Sequence, residues 1–357
     1  MDLAALRSAI DGVDDELLKL LNRRAELVGQ VAQLKERMQV PFYVPSRERQ
    51  IVDRLAAANA GPFPTEAIRP VFQEIFSACL SLEKTVRVAY LGPEATYTHM
   101  AVKRQFGLSA RAIPVGTIAG VFDEVTRGGA DFGVVPVENS SEGVVSHTLD
   151  TFVGSDLKIS AEILLEIHHC LLVRAGVEVG QIERVYSHPQ GLAQCRRWLA
   201  ANLPRAALIE AASTSEAARL AREDAAGGAV ASELAARLHD LTVARRSIAD
   251  LAHNVTRFLV IGEKQAEPTE RDRTSILVEL RNEPGVLLRL LEPFARRGVN
   301  LTKIESRPSR RQHWQYVFFI DVDGHGRDEA VAAAVEEARE ACTALKVLGS
   351  YPRAESI

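Results

Sequence analysis

The chain has 357 residues, of which 46% are hydrophobic and 25% charged, and its formal net charge is −4. This length predicts two or three domains with separate cores, and the charge excludes a whole-chain attraction to nucleic acid or an anionic membrane. No segment reaches the roughly 20 apolar residues that span a bilayer, and charges from Arg7 to Glu16 interrupt any signal-peptide core. The four cysteines form no CxxC pair, which predicts reduced thiols in a cytoplasmic protein without a zinc site.

The first predicted element is a helix from about residue 2 to residue 38 with an apolar seam. Nine of ten heptad positions are aliphatic, and Arg24 is the exception; the positions are Leu3, Ile10, Leu17, Arg24 and Val31 with Leu6, Val13, Leu20, Leu27 and Leu34. Such a helix is roughly 55 Å long, which predicts dimerisation through it. A single charge in the seam is as compatible with setting the register of a coiled coil as with function. However, Arg7 and Lys35 lie beside the same seam, and buried cations require anions.

Two shorter helices are predicted next. Ser46 is expected to cap the first of them, with Arg47 and Glu48 in its first turn. The second, over residues 65–84, places Phe72, Phe76, Cys79 and Glu83 on one stripe. Taken alone, Glu83 has the ordinary interpretation of a solvated carboxylate at a helix end.

Residues 1–84 resemble the all-α, intertwined-dimer type of chorismate mutase. The resemblance implies that Arg7 and Arg24 bind substrate carboxylates, with Arg7 reaching the partner subunit's site, and that Lys35 lies at the ether oxygen. It also places Arg47, Glu48 and Cys79 among the substrate-binding residues. Val44 and Glu83 stand where one branch of the family has an aspartate and a glutamine. Because a carboxyl group donates a hydrogen bond only when protonated, we expect Glu83 to be held protonated and the mutase to favour acid.

From residue 85 to about residue 264, short apolar strands alternate with helices, which is typical of an α/β fold. Polar residues collect at four junctions between strand and helix: GPEATYTH, VENSSEG, SHPQGLAQC and ASTSEAA. Hydroxyl groups beside helix N-termini suit carboxylate ligands, although Thr96, Ser140, Ser187 and Ser213 each have an ordinary capping interpretation. Two runs of strands predict two lobes with a cleft between them. The segment HNVTRFLVIG, residues 253–262, would return to the first lobe with its polar end at the cleft.

The motifs VENS, SHPQxxxQC and NxTRF resemble those of the prephenate dehydratases along residues 86–262. The resemblance implies a bilobed fold of the periplasmic-binding-protein type that converts prephenate to phenylpyruvate. Thr256 would assist departure of the ring hydroxyl, Arg257 would neutralise a carboxylate, and Phe258 would pack under the strand. The other implied substrate-binding residues are Thr96, Asn139, Ser140, Ser187, His188, Gln194, Ser213, Thr214 and Asn254. Ala95 replaces the family's commoner glycine, and His168 and His169 are expected to serve strand-end packing.

After a polar linker, residues 272–357 follow the strand–helix–strand–strand–helix–strand order of an α+β ferredoxin-like module. The segments NEPGVLLRLLEPF and NLTKIESRP resemble an ACT domain of the phenylalanine-binding kind, with Gly285 permitting a close turn. The resemblance implies feedback inhibition by L-phenylalanine bound between two such modules, and a dimerisation module without ligand is the alternative. The implied residues are Gly285, Val286, Leu287, Asn300, Leu301, Glu305, Ser306, Arg307 and Pro308.

The sequence therefore predicts a bifunctional enzyme with domains at 1–84, 85–264 and 272–357, which converts chorismate through prephenate to phenylpyruvate. No cofactor, metal, nucleic acid or membrane is implied, and a homodimer or a dimer of dimers is expected. One alternative is a dehydratase whose decayed mutase domain only dimerises the chain. The other is a non-catalytic sensor of aromatic acids.

Overall fold

The computed structural model describes residues 2–38, 43, 45–281, 283–308 and 316–354. Val44, singled out above, lies outside the described residues. The chain divides into two compact units. The first contains residues up to 87 together with 103–111, and the second contains residues 88–102 and those from 112 onward.

The first unit is built on three helices, α1 (Leu3–Met38), α2 (Pro45–Ala58) and α3 (Thr65–Glu83). The carboxylate of Asp2 accepts a hydrogen bond from the backbone N–H of Ala5 at 2.7 Å, which caps α1. Along α1, twelve large apolar side chains are 39–70% exposed, and all nine aliphatic seam positions are among them. The apolar seam is therefore present as predicted, and the single chain leaves it uncovered.

The predicted start of α2 is wrong by one residue. The helix begins at Pro45, so Ser46 lies buried inside the first turn and is not the cap. Proline suits this first turn because the backbone N–H that it lacks would have no partner there.

Residues 103–111 pack within this helical unit. The ring of Phe106 lies 5.2 Å from that of Tyr43, and the Gln105 side-chain amide donates to the Tyr43 hydroxyl at 2.9 Å. The backbone N–H of Ser109 donates to the Ser77 hydroxyl at 3.0 Å. Gly107 has φ +69°, and a Cβ there would collide with Ser77, so only glycine permits this approach.

The second unit contains two lobes and a third sheet, and the first lobe is a mixed sheet with flanking helices. Its strands are β1 (Arg87–Leu91), β2 (Arg111–Val115), β3 (Phe132–Asn139), β4 (Gly143–Val144), β5 (Lys158–Glu166) and β11 (Val255–Gly262). Its helices are α4 (Tyr97–Phe106), of which residues 103–106 count with the first unit, α5 (Ile118–Thr126) and α6 (Ser146–Gly154). The strand order is β2-β1-β3-β11-β5, with β4 paired to β3, and β11 runs antiparallel to both of its neighbours.

The second lobe is a five-stranded sheet in the order β10-β6-β9-β7-β8. Its strands are β6 (Cys170–Val173), β7 (Arg184–Ser187), β8 (Ala207–Glu210), β9 (Gly227–Ala231) and β10 (Thr242–Arg245). Its helices are α7 (Pro189–Gln194), α8 (Arg196–Asn202), α9 (Thr214–Glu223) and α10 (Glu233–Leu238), with a short 3-10 helix at Val179–Gln181. The chain crosses to this lobe after β5 and returns by β11, which confirms the predicted two-lobe architecture.

The C-terminal part has the predicted ferredoxin-like order. It comprises β12 (Asp272–Leu280), α11 (Val286–Arg296), β13 (Leu301–Pro308), β14 (Tyr316–Asp323), α12 (Glu329–Ala338), a 3-10 helix (Arg339–Ala341) and β15 (Cys342–Pro352). The strand order is β13-β14-β12-β15. Gly285 has φ +74° at the turn into α11, as its identity predicted.

The C-terminal sheet shares a hydrophobic core with the first lobe. Phe319, Leu348 and Tyr351 are buried in the same cluster as Phe152 and Leu259. The close approach depends on Gly349, because a Cβ there would collide with the backbone of Ile159 in β5. None of the described helices is long and apolar enough to cross a membrane.

Candidate active sites

In the helical unit, Arg24 presents a buried nitrogen without a hydrogen-bond partner. Its Nη1 finds no partner among the described residues, and its guanidinium carbon lies 5.0 Å from the centre of the Phe76 ring. An unsatisfied buried donor costs about 1–3 kcal/mol, more when it is charged, so an anion bound beside Arg24 would satisfy it. This favours the functional interpretation of the seam charge.

Two carboxyl groups with raised pKa values surround this position. Burial raises the pKa of Glu48 to about 7, opposed by a hydrogen bond from Gln73 and by the charges of Arg24 and Lys35. Partial burial also raises the pKa of Glu83, opposed by the charge of Lys35. These four charged residues therefore lie in one electrostatic neighbourhood.

Gln73 is a residue that the sequence analysis missed. Its side-chain amide donates to the backbone carbonyl of Gln105 at 2.8 Å, which holds it in place beside Glu48. The available signal was its spacing, because Gln73 lies three residues before Phe76 on the inward side of α3.

Two predicted residues do not join this cluster within one chain. Arg7 lies seventeen residues before Arg24 on the same helix, about 26 Å away at 1.5 Å per residue. Arg47 is exposed, and its guanidinium contacts the side chain of Gln50 at 3.5 Å. Cys79 is buried on the α3 stripe, as its spacing predicted.

In the second unit, the mouth of β11 forms a hydrogen-bonded group with β3. Thr256 and Asn139 are register partners across the two strands. The Asn139 amide nitrogen donates to the Thr256 hydroxyl at 2.8 Å and to the Asn254 side-chain oxygen at 2.7 Å. Since the Thr256 oxygen accepts from Asn139, its own hydrogen is left to donate to another group.

Two backbone amides fix the orientation of this group. The Asn139 side-chain oxygen accepts from the N–H groups of Ser141 and Glu142 at 2.9 and 3.1 Å, so its nitrogen must face Asn254 and Thr256. The Asn254 nitrogen then donates to the side-chain oxygen of Gln194 at 2.8 Å. Gln194 belongs to α7 of the second lobe, so the chain of hydrogen bonds joins the two lobes.

The same chain fixes the tautomer of His169. Its Nε2 lies 2.7 Å from the Gln194 oxygen, so Nε2 carries the hydrogen, while burial lowers the ring's pKa and keeps it neutral. Nδ1 is then an acceptor, and the hydroxyl of Tyr97 lies 3.0 Å from it. His169 thus has a polar partner at each nitrogen, whereas the sequence analysis expected it to serve only packing.

The remaining polar residues predicted for the cleft have different local roles. Ser187 is fully buried and donates to the Val230 carbonyl at 2.7 Å, so it joins β7 to β9 and caps no helix. Ser213 caps α9 by accepting from the Glu216 N–H at 3.0 Å, and Thr214 opens that helix. Ser140 accepts from the Val255 N–H at 3.0 Å.

Four further residues lie at the starts of helices or under the strand. His188 caps α7, and burial lowers the pKa of its ring. Thr96 precedes α4, and its hydroxyl donates to the Pro93 carbonyl at 3.0 Å. Ala95 has φ +60°, the left-handed conformation that explains the usual glycine. Phe258 is buried in β11 behind the polar group.

Arg257 requires a correction, because the structure does not bring it to the cleft group. Successive residues of a strand point to opposite faces, and Thr256 occupies the face toward Asn139. The Arg257 guanidinium instead donates to Glu162 and Asp321, both at 2.7 Å, and to the Tyr351 hydroxyl at 2.9 Å. Three of its five N–H groups thus donate to protein groups, in place of the substrate carboxylate predicted for it.

In the C-terminal domain, the predicted ligand residues lie at the start of α11 and at the start and end of β13. Gly285, Val286 and Leu287 form the start of α11. The Asn300 amide donates to Asp323 at 3.0 Å just before β13, which begins at Leu301. Glu305, Ser306, Arg307 and Pro308 end that strand, and Arg307 pairs with Asp150 of α6 at 3.3 Å.

The folds and sites together define a class of protein: a multidomain enzyme with a helical unit, a two-lobed α/β domain and a ferredoxin-like domain. Models of known families match the chain in the same order. They are chorismate mutase type II over residues 6–84, prephenate dehydratase over 88–266 and the ACT domain over 274–340.

Relatives match the whole chain. The bifunctional chorismate mutase/prephenate dehydratase of Aquifex aeolicus (strain VF5) is 49% identical over 99% of this chain and 98% of its own length. The corresponding protein of Pseudomonas aeruginosa is 44% identical over the same shares. The crystal structure of prephenate dehydratase in complex with L-Phe from Arthrobacter aurescens is 37% identical, has a TM-score of 0.71, and matches 76% of this chain and 92% of that one. The chain belongs to the family of bifunctional chorismate mutase/prephenate dehydratases.

Proposed function

We propose that the chain rearranges chorismate to prephenate in its helical unit and converts prephenate to phenylpyruvate in its two-lobed domain, under feedback inhibition by L-phenylalanine. The observation that carries the proposal is the 49% identity to a bifunctional relative along 99% of the chain. The proposed domains are residues 1–84, 85–264 and 272–357, and the four buried free cysteines support a cytoplasmic protein.

The mutase step requires no acid, base or nucleophile, because a pericyclic rearrangement needs a compact conformer and stabilisation of charge on the ether oxygen. Arg24 and Lys35 supply positive charge for the carboxylates and the ether oxygen. Glu83 donates to that oxygen while protonated, and its raised pKa supports this role. Glu48 and Cys79 line the same site.

A homodimer, alone or paired into a dimer of dimers, would complete that site. Arg7 lies about 26 Å along the helix from Arg24, so it serves the site of a second copy. The exposed aliphatic seam of α1 supports this arrangement, because a second copy of α1 would cover it. Arg47 is proposed to turn toward substrate from the first turn of α2.

In the dehydratase step, the bond from the ring to the departing carboxylate breaks and its electron pair enters the ring. The carbon–oxygen bond of the ring hydroxyl breaks with its own pair, and one proton is taken up. Prephenate dianion and a proton thus give phenylpyruvate anion, carbon dioxide and water, driven by aromatisation.

Thr256 is proposed to assist the leaving hydroxyl. Asn139 donates to the Thr256 oxygen, which leaves the hydroxyl hydrogen for the departing oxygen. Thr256 either donates this hydrogen bond or relays a proton from water. Thr96, Asn139, Ser140, Ser187, His188, Gln194, Ser213, Thr214, Asn254 and Phe258 are proposed to shape and orient the prephenate site.

The C-terminal domain is proposed to bind L-phenylalanine between two copies. The residues are Gly285, Val286, Leu287, Asn300 and Leu301, with Glu305, Ser306, Arg307 and Pro308 joining the domain to the dehydratase. The relative crystallised in complex with L-Phe supports this ligand.

The test supplies chorismate to the purified full-length protein and follows chorismate, prephenate and phenylpyruvate separately, with and without L-phenylalanine. We expect phenylpyruvate to form and L-phenylalanine to suppress it. Persistence of chorismate with conversion of added prephenate would support the dehydratase with a decayed mutase. Binding of prephenate without consumption of either compound would support the sensor.

A further inference from the structure

The pair of residues next to Thr256 and Asn139 faces the C-terminal domain, which is the proposed regulatory domain. In the ladder between β11 and β3, Thr256 pairs with Asn139, and the next register pair is Arg257 with Glu138. Because successive strand residues point to opposite faces, the second pair projects away from the cleft. Its side chains meet the C-terminal sheet.

Both members of this second pair are held by residues of the regulatory domain. The Lys303 ammonium of β13 donates to Glu138 at 2.7 Å. Asp321 of β14 accepts from Arg257 at 2.7 Å, and the Tyr351 hydroxyl of β15 accepts from it at 2.9 Å. Three strands of the regulatory sheet therefore contact the two residues directly behind the cleft group.

The contact between Arg257 and Asp321 is shielded from water, whereas the Glu138 side chain that pairs with Lys303 is 37% exposed. Arg257 is 8% exposed and Asp321 is 7% exposed. A buried ion pair resists separation, since removing one partner leaves the other charge buried and unpaired. A cavity of about 340 Å³ lies beside them, lined by Glu138, Arg257, Lys303 and Asp321 among others, which leaves space for the pairs to rearrange.

The strand itself is irregular at the same position. The register of β11 against β3 shifts between Arg257 and Phe258. Such an irregularity bends a strand and redirects neighbouring side chains. Arg257 therefore lies where a bend in the strand can redirect Thr256.

The regulatory contacts also lie close to the proposed effector site. Lys303 follows Leu301 by two residues on β13, and Asn300 immediately precedes that strand. A ligand that displaces the start of β13 would therefore act on the contact between Lys303 and Glu138. To change the rate, such a ligand must have different affinities for two arrangements of these contacts.

We infer that Lys303 and Asp321 position the Thr256–Asn139 pair through Glu138 and Arg257, so that the regulatory domain sets the rate of the dehydratase step. This inference rests on the proposed function. It makes Lys303, Asp321, Glu138 and Arg257 positioning residues, which touch no substrate themselves.

The test compares Lys303→Met with Lys346→Met in the full-length protein. Lys346 makes the matched control, because it joins the same two domains, through the Ser155 carbonyl and Asp156, without contacting the register pair. For each variant, kcat and KM for prephenate, inhibition by L-phenylalanine and binding of L-phenylalanine by calorimetry are measured.

For Lys303→Met we expect kcat to fall roughly tenfold with KM within about twofold, and inhibition to weaken at least fivefold while L-phenylalanine still binds. Lys346→Met should match the wild type, and Lys303→Arg should restore most of kcat and of the inhibition. Equal behaviour of Lys303→Met and Lys346→Met would overturn the inference.

A second variant, Glu138→Gln, removes the same ion pair and leaves the lysine in place. It should reproduce the loss of kcat and of inhibition, and wild-type values for both would also overturn the inference. A wild-type protein that leaves prephenate unchanged would instead refute the proposed function, and that result is distinguishable because no variant is needed to see it.

Discussion

Replacing Glu83 by glutamine should remove the acid preference of the mutase. Partial burial raises the pKa of Glu83 against the opposing charge of Lys35, and a bound dianion would raise it further. A carboxyl group with a raised pKa is protonated below that pKa and loses its donor hydrogen as the pH rises through it. An amide donates at every pH.

The size of the effect follows from the titration. Above the Glu83 pKa, the protonated fraction falls tenfold for each pH unit, so the wild-type kcat for chorismate should fall with a slope of −1 on a logarithmic plot. In Glu83→Gln this slope should vanish. The assay is the initial rate of chorismate loss at saturating substrate across the pH range in which the protein stays folded.

Glu48 provides an internal comparison, because burial raises its pKa to about 7. If kcat for chorismate in Glu83→Gln still changes with pH near that value, this remaining change is called the Glu48 limb. It should disappear in the double variant that also carries Glu48→Gln. If Glu83→Gln keeps the wild-type slope, Glu83 is not the donor to the ether oxygen.

Three further predictions concern individual contacts. Gln73→Met removes a hydrogen bond that lowers the pKa of Glu48, so the Glu48 limb should move to higher pH; an unchanged limb in the pH–rate profile would contradict this. Tyr97→Phe removes the hydroxyl that lies 3.0 Å from both Nδ1 of His169 and the His168 carbonyl, and it should lower kcat for prephenate by about 2–10-fold, the value of one hydrogen bond, with little change in KM; a wild-type kcat would show that the hydroxyl does not matter to the reaction. Arg257→Met removes the cation paired with the buried Asp321 carboxylate, whereas Glu162 keeps its pair with Arg273, and it should destabilise the protein by about 3–5 kcal/mol in denaturant titrations; a loss under about 1 kcal/mol would refute this assignment.

The opening of β11 shows what sequence can and cannot predict. Its apolar run and polar entry correctly predicted a strand returning to the first lobe with Asn254 and Thr256 among polar partners. Strand alternation already implied that Arg257 points the other way. The carboxylates that accept its hydrogen bonds could not be predicted, because Glu162 and Asp321 come from distant positions in the chain. Only the packing of two domains brings them together.

The contacts of His169 illustrate the same limit. Its partners Tyr97 and Gln194 lie 72 and 25 residues away in the chain, so no local pattern links them. In the helical unit, periodicity singled out Arg24 in the heptads of α1 and Glu83 on the stripe of α3, whereas Glu48 came from the first turn of α2 and the family resemblance. Periodicity did not give Gln73, whose role depends on the packing of Gln105.

The role of Thr256 is tested most directly by Thr256→Val in the full-length protein supplied with chorismate. Valine keeps the shape of threonine and removes the hydroxyl, while the Asn139 amide keeps its bond to Asn254. We predict that chorismate is lost at the wild-type rate, that prephenate accumulates, and that phenylpyruvate forms at least 100-fold more slowly than in the wild type. Phenylpyruvate formation within tenfold of the wild-type rate would contradict the assignment of Thr256 to the leaving hydroxyl.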